Sequence, residues 1–325
     1  MNKIKVFVSR KILEDGLLIL DQNRFSIYIS PHDRPLTRDE LIEACRDVDV
    51  LISMLTDKID ASLLDQCPKL KLIANYAVGL NNIDLEYCRE KGIKVLNTPD
   101  VLNHSTAETA LLLMIACARK LKSAQSALQT GTDPGFSPMQ YLGFDLRDKT
   151  LGIYGMGRIG RQFAKMAHNL FNMQVIYFNR TRGINQENMD LHFARQVSFE
   201  ELLAASDVVS IHAPLNEDSR GRFDYETLLK MKRGSLLINT GRGEIIKTED
   251  LTRVMCDQNG RNNIDTHFFA VGLDVTSPEP LDKSHPLLQH PDILILPHIG
   301  SATKRTRSEM SKILGLGIQD FFALI

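Results

Sequence analysis

Three apolar runs in the second half of the chain each lead into a residue type that can do chemistry. One run enters Asn239-Thr-Gly-Arg242-Gly, the next Gly272-Leu-Asp274-Val-Thr-Ser-Pro-Glu279-Pro, and the last Pro297-His298-Ile-Gly-Ser301. A guanidinium, a carboxylate and an imidazole together can grip an anion, move a proton and steer the ring that moves it. Ligands of open α/β sheets bind just outside the carboxyl ends of the strands. Side chains delivered there from three separate strands can therefore converge. Taken singly, each has an ordinary reading: Arg242 as a surface cation, Glu279 as a solvated acid in a proline-rich loop, and His298 as a hydrogen-bonded turn residue.

A second constellation lies upstream. The run 150–154 leads into Gly155-Met-Gly157-Arg158-Ile159-Gly160, followed by a helical pattern as far as Phe171. In such a fingerprint the first glycine permits a tight turn, the second lets backbone approach a pyrophosphate, and the third allows close strand–helix packing. The pyrophosphate would sit on the helix N-terminus, where N–H groups and the helix dipole favour an anion. Residue 179, nineteen positions beyond Gly160, falls where a dinucleotide site reads the adenosine ribose. NAD calls for a carboxylate there, whereas this chain has Asn179-Arg180-Thr181-Arg182. A neutral Asn179 does not repel a 2′-phosphate, and Arg180 and Arg182 can grip one with forked hydrogen bonds. NADPH is expected over NADH.

Stretches of strand and helix character alternate around these motifs. Strands are expected at 4–8, 25–29, 50–53, 70–74 and 95–97, with a helix opening at Thr37, whose capping-box partner is Glu40. The stretch 103–131 reads as one long helix, started by a Ser105/Glu108 capping box, stopped by Gly131 and apolar nearly all round over 110–118. Six further strands are expected at 151–154, 175–178, 208–211, 236–239, 271–275 and 293–296, followed by a final helical stretch over 299–325. The expected fold is α/β, with two doubly wound parallel-sheet domains. The chain would cross between them near residues 101 and 298.

Composition narrows the partners. With 43% hydrophobic and 24% charged residues and a net charge of −1, the chain lacks the basic surplus of a nucleic-acid binder. No apolar run approaches the roughly 18 residues of a membrane span. The five cysteines are scattered without metal-type spacing, which points to free thiols in a reducing cytoplasm and to no bound metal.

Wording along nearly the whole chain resembles the D-isomer-specific 2-hydroxyacid dehydrogenase family. The resemblance runs from Tyr76-Ala-Val-Gly-Leu-Asn-Asn-Ile-Asp84 through Thr98-Pro-Asp-Val-Leu and Thr106-Ala-Glu108 to the histidine motif. Gly272 to Leu281 and Leu296 to Thr303 are most similar to the glyoxylate/hydroxypyruvate reductase branch. That branch implies an NAD(P)-dependent enzyme reducing small 2-oxo acids, and Asn179-Arg-Thr-Arg182 agrees with its NADPH preference. The resemblance implies a flavodoxin-like substrate domain over 1–100 with 299–325, and a Rossmann domain over 101–298. Arg242 would pair with the substrate carboxylate and polarise its 2-oxo group, His298 would donate the proton, and Glu279 would orient His298. Backbone N–H groups at Val78 and Gly79 would also meet the carboxylate, with Ser301 nearby. Thr106, Thr240 and Asp274 are expected along the nicotinamide end of the cofactor and Pro214 near its adenosine side. The helix from Ser105 to Ala127 resembles the family's subunit-binding helix, so a homodimer is expected.

Some features depart from the family pattern. Related reductases carry tryptophans between 131 and 143, one of them reaching the partner subunit's substrate pocket. This chain has no tryptophan, and Asp133, Phe136 and Gln140 stand in that stretch. The turn over 260–267 is about six residues longer than usual and reads as a surface loop. The end at Ile325 is taken to leave no regulatory domain, against the longer forms of phosphoglycerate dehydrogenase. Two other readings stay open: an NAD-dependent dehydrogenase of another D-2-hydroxy acid such as 3-phosphoglycerate, and a dinucleotide-sensing corepressor on the same fold.

Overall fold

The computed structural model describes residues 3–180, 192–256 and 267–324. The chain divides into two compact units, Met1–Leu102 with Ser301–Ile325, and Asn103–Gly300.

In the first unit, β1 (Ile4–Val8), β2 (Phe25–Ile29), β3 (Val50–Ser53), β4 (Leu72–Asn75) and β5 (Lys94–Leu96) form a parallel sheet in the order β2-β1-β3-β4-β5. This is the flavodoxin-like order. Helices α1 (Arg38–Cys45), α2 (Ala61–Leu64) and α3 (Leu85–Glu90) connect the strands. The capping box at α1 forms as read, with Thr37 accepting from Glu40 N and the Glu40 carboxylate accepting from Thr37 N at 2.8 Å. The last helix of the chain, α11 (Lys304–Ala323), packs on the 3-10 turn Glu14–Ile19. Glycine makes that contact possible: a Cβ on Gly16 would stand 1.8 Å from Ser311 O, and one on Gly315 would stand 2.1 Å from Gly16 O. Two strands shift from expectation, to Leu72–Asn75 and Lys94–Leu96.

The second unit opens with α4 (Asn103–Ala118) and α5 (Leu121–Thr130). The single helix expected over 103–131 is thus two. Lys120 takes a left-handed conformation (φ 51°), and the Ala118 carbonyl accepts from Phe144 N at 2.7 Å instead of continuing the helix. Lys120 Nζ meets Asp292 at 2.9 Å and lies over the Phe269 ring, tertiary contacts that a helix pattern does not contain. The Ser105 capping box is also displaced. The helix begins at Asn103, so Ser105 lies inside the first turn, and Glu108 pairs with His104 instead. Gly131 stops α5 in a left-handed conformation, as read.

A seven-stranded parallel sheet follows: β6 (Thr150–Tyr154), β7 (Gln174–Phe178), β8 (Ala194–Gln196), β9 (Val208–Ile211), β10 (Leu236–Asn239), β11 (Ala270–Leu273) and β12 (Ile293–Ile295). Its order is β12-β11-β10-β9-β6-β7-β8, the Rossmann arrangement with one strand added. The edge strand β8, Ala-Arg-Gln and only three residues long, has no apolar run to betray it. The sheet is covered on both faces by α4 and α6 (Arg158–Phe171) on one side, and by α7 (Phe199–Ala205), α8 (Tyr225–Lys230) and α9 (Thr248–Met255) on the other. Along β10 the alternation is direct: Leu236 and Ile238 enter the α4/α6 core, and Leu237 enters the α7–α9 core. A short α10 (Pro286–Gln289) precedes β12. Two buried layers fix every strand end of this sheet in place, and the candidate residues stand at those ends.

Candidate active site

The turn after β6 is built from backbone. Gly155 has φ +97°, and a Cβ there would stand 2.6 Å from Ala213 N. A Cβ on Gly160 would stand 2.6 Å from Gly155 O, so strand, turn and α6 close on one another only with glycine. Gly157 is different: a Cβ there would meet nothing within 4 Å. It is exposed, and it forms the N-cap of the fourteen-residue α6 without a side-chain cap. Exposed Arg158 and half-buried Ile159 complete the first turn. Tight turn, close packing and an open middle glycine on a helix N-terminus together fit a dinucleotide pyrophosphate.

At the end of β7 the Asn179 side chain folds back onto this turn, its Oδ1 accepting from Met156 N at 2.7 Å. Asn179 therefore braces the glycine loop. Arg180 is exposed and pairs with Asp218 Oδ2 at 2.5 Å, so an anion arriving at Arg180 competes with a carboxylate. Thr181 and Arg182 lie outside the described residues, as does most of the long turn at 260–267.

Next along the sheet, Pro214 is exposed in the loop after β9, its carbonyl accepting from Ser219 Oγ at 2.8 Å. Thr240, after β10, is buried, and its hydroxyl lies 3.1 Å from His212 Nδ1. His212 Nε2 meets Ser210 Oγ at 2.9 Å, and the ring lies against Phe163. Burial pushes this imidazole down to about 3, so it is neutral at neutral pH. A neutral ring clamped between two hydroxyls fixes the Thr240 side chain. His212 did not stand out in the sequence, because its partners are two and twenty-eight residues away.

Arg242 is half-buried in the same loop, with Nη1 donating to Gly241 O at 2.7 Å. Burial lowers the proton affinity of its guanidinium, against the opposing pull of Glu244 and Glu279. The backbone carrying it is fixed by Asn239, which is fully buried: Oδ1 accepts from Gly241 N and Nδ2 donates to Arg242 O, both at 2.9 Å. Asn239 reads in the sequence only as the end of an apolar run. Its polarity at a core position was the available signal.

Asp274, at 1% exposure, does the equivalent work beyond β11. Its carboxylate accepts from Ile299 N at 2.7 Å and Gly300 N at 2.8 Å, and its carbonyl accepts from His298 N at 2.9 Å. Burial raises the proton affinity of this carboxyl, and the two N–H donors oppose that shift. Thr106, buried at the start of α4, donates from Oγ1 to Gly300 O at 3.3 Å. His298 itself is left-handed (φ 54°), and its Nδ1 lies 2.6 Å from Glu279 Oε1. Both side chains stay partly open to solvent, at 25% and 33% exposure. Glu279 Oε2 in turn accepts from Thr276 N at 3.3 Å. The structure thus brings Glu279, His298 and Asp274 into one cluster, with Arg242 within electrostatic reach of Glu279.

In the first unit, Val78 and Gly79 lie half-buried in the loop after β4, and Ser301 precedes α11 with its carbonyl accepting from Arg307 Nε at 3.2 Å. Among the described residues, no group of three His, Cys, Asp or Glu side chains could hold a metal, and no helix is long and apolar enough to cross a membrane.

Comparisons with known proteins agree with this geometry. Residues 111–300 match the family model of the D-isomer specific 2-hydroxyacid dehydrogenase NAD binding domain. A glyoxylate reductase from Thermococcus litoralis is 37% identical over 324 residues, covering 98% of this chain and 94% of the relative. Among solved structures, the TT0316 protein from Thermus thermophilus superposes with a TM-score of 0.88 at 37% identity, covering 98% of this chain and 97% of that one. An NADPH-dependent glyoxylate/hydroxypyruvate reductase from Sinorhizobium meliloti, in complex with NADP and malonate, gives a TM-score of 0.80 at 28% identity, covering 99% and 94%. With a nicotinamide-dinucleotide domain of this type and relatives matched along nearly its full length, the chain belongs to the D-isomer-specific 2-hydroxyacid dehydrogenase family and is an NAD(P)-dependent oxidoreductase acting on a small molecule.

Proposed function

We propose that this enzyme is an NADPH-dependent reductase of small 2-oxo acids, converting glyoxylate to glycolate and hydroxypyruvate to D-glycerate. The observation that carries the reading is the 2.6 Å Glu279–His298 pair at the strand ends, with the half-buried Arg242 in the field of the same carboxylate. The curated glyoxylate reductases at about 37% identity support the substrate class.

The Gly155, Gly157, Gly160 turn, with Arg158 and Ile159, would hold the pyrophosphate, and Thr106, Pro214, Thr240 and Asp274 would line the rest of the cofactor. Asn179, Arg180, Thr181 and Arg182 would receive the adenosine ribose and its 2′-phosphate. When bound, the reduced nicotinamide supplies the hydride. Arg242 holds the substrate carboxylate with a two-pronged grip and draws electron density from the 2-oxo group. The N–H groups of Val78 and Gly79, with Ser301, add further contacts to that anion. His298 keeps Nδ1 turned to Glu279, which fixes the ring and leaves Nε2 to carry the proton delivered to the carbonyl oxygen.

A homodimer fits the exposed apolar residues Leu112, Ile115, Leu121 and Leu128 on α4 and α5. Five buried, unbridged cysteines fit a reducing compartment, and we place the enzyme in the cytoplasm. The test is direct: follow the absorbance of NADPH and of NADH with glyoxylate, hydroxypyruvate and pyruvate. NADPH oxidation with the first two is expected. Oxidation of neither cofactor with any of the three acids would overturn the assignment.

A further inference from the structure

The loop after β4 shows how a backbone anion site is held in shape. Three successive carbonyls, those of Ala77, Val78 and Gly79, each have a donor from the same unit. Thr98 N donates to Ala77 O at 3.0 Å, Asn97 Nδ2 to Val78 O at 2.8 Å, and Asn75 Nδ2 to Gly79 O at 2.9 Å. Because a trans peptide is planar, its N–H points away from its C=O. Fixing these three carbonyls therefore turns the N–H groups of Val78, Gly79 and Leu80 the other way. None of the three N–H groups has an acceptor among the described residues, although the segment is half-buried. Half-buried backbone donors in a row ordinarily find a partner. A ligand anion is the partner this arrangement lacks, and successive N–H groups in a turn form an anion-binding concavity.

We infer that Asn97 is a positioning residue for substrate: by gripping Val78 O it sets the peptide plane whose N–H, that of Gly79, meets the carboxylate of the 2-oxo acid. The inference rests on the proposed contact of Val78 and Gly79 with that carboxylate. Asn97 suits the task because its own backbone position, directly after β5, is anchored through its neighbour Thr98, which clamps the adjoining peptide plane. Its side chain and the next residue's backbone thus hold two consecutive planes from one support. Asn75 holds the third, and it is in turn bound to Ser53 at 2.9 Å and to Asn82, so the loop rests on a polar network in place of an apolar one. Each carboxamide donates, and a carboxylate of the same shape would not.

The experiment uses the whole enzyme with NADPH bound. Asn97→Asp keeps the shape, removes the donor and sets a carboxylate against Val78 O. Its binding of oxamate, an unreactive carboxylate analogue of the substrate, is read by NADPH fluorescence, alongside KM and kcat for glyoxylate, the Kd for NADPH and the melting temperature. We expect the oxamate Kd and the glyoxylate KM to rise about tenfold, the size of one lost hydrogen bond to a charged group. The kcat, the NADPH Kd and the melting temperature should stay close to those of the parent. Should Asn97→Asp fail to fold, Asn97→Ala, which brings no charge, is read in the same way. Unchanged oxamate binding in a folded variant overturns the inference, as does a fall in melting temperature without a change in KM, or loss of the fold in both variants. A parent enzyme that binds oxamate but reduces no 2-oxo acid would instead overturn the proposed activity and leave the clamp standing.

Discussion

Two strand-end regions of the same sheet are built on opposite principles. The turn after β6 is made of backbone: three glycines set the path, and what could meet a ligand is N–H groups and empty space. The loops after β10, β11 and β12 are made of side chains, and those after β10 and β12 are each pinned by a buried polar group. Asn239 holds the Arg242 turn, and Asp274 holds the segment that carries His298. A backbone site fails when anything is added to it, and a side-chain site fails when an anchor is removed. Substitutions that add or remove single groups test that difference.

The largest effect should come from removing the proposed proton donor. His298→Ala is expected to lower kcat for glyoxylate by about 10²–10⁴-fold, the usual range for general acid catalysis, with the NADPH Kd unchanged. Turnover near that of the parent would take His298 out of the mechanism. On the backbone side, Gly155→Ala adds one methyl at φ +97° against Ala213 and should weaken NADPH by about a hundredfold or prevent folding. Calorimetric titration showing parental affinity would mean that the turn tolerates a side chain. Asp274→Asn keeps the shape but leaves one oxygen for two N–H donors; loss of about 1–3 kcal/mol at that anchor should cut kcat/KM by roughly 10–100-fold. Parental kcat/KM in that variant would show that the His298 segment holds itself. The smallest effect is expected at an exposed pair. Asp218→Asn frees Arg180 and should tighten NADPH by about two- to fivefold while leaving NADH alone, in line with the modest strength of surface ion pairs. Equal changes for both cofactors would remove Arg180 from 2′-phosphate recognition.

The same contrast explains what could be read in the sequence. Glycine spacing is local, so the turn at 155–160 and its helix were legible at once, as were the strands at 4–8, 25–29, 50–53, 208–211 and 236–239. The resemblance to the family, carried by wording around Arg242, Glu279 and His298, holds for the chain as a whole. Anchors are not local. Asn239 looked like the end of a run, His212 depends on Ser210 and on Thr240 twenty-eight residues on, and Asn97 reaches back nineteen residues to Val78. The break at Lys120 escaped for the same reason: its causes, Phe144, Phe269 and Asp292, lie in other segments. Strand β8, with no apolar pattern, is defined by its neighbour β7 alone.

His298 stands where the backbone turns left-handed, a conformation that costs a residue with a side chain about 1–2 kcal/mol and glycine almost nothing. A library at this codon, selected for heat resistance alone, would drift toward glycine or asparagine and discard the imidazole on the way. If His298 is the proton donor proposed above, any programme to harden the enzyme must hold this codon fixed and seek its gains elsewhere, because durability and turnover then ask for different amino acids here.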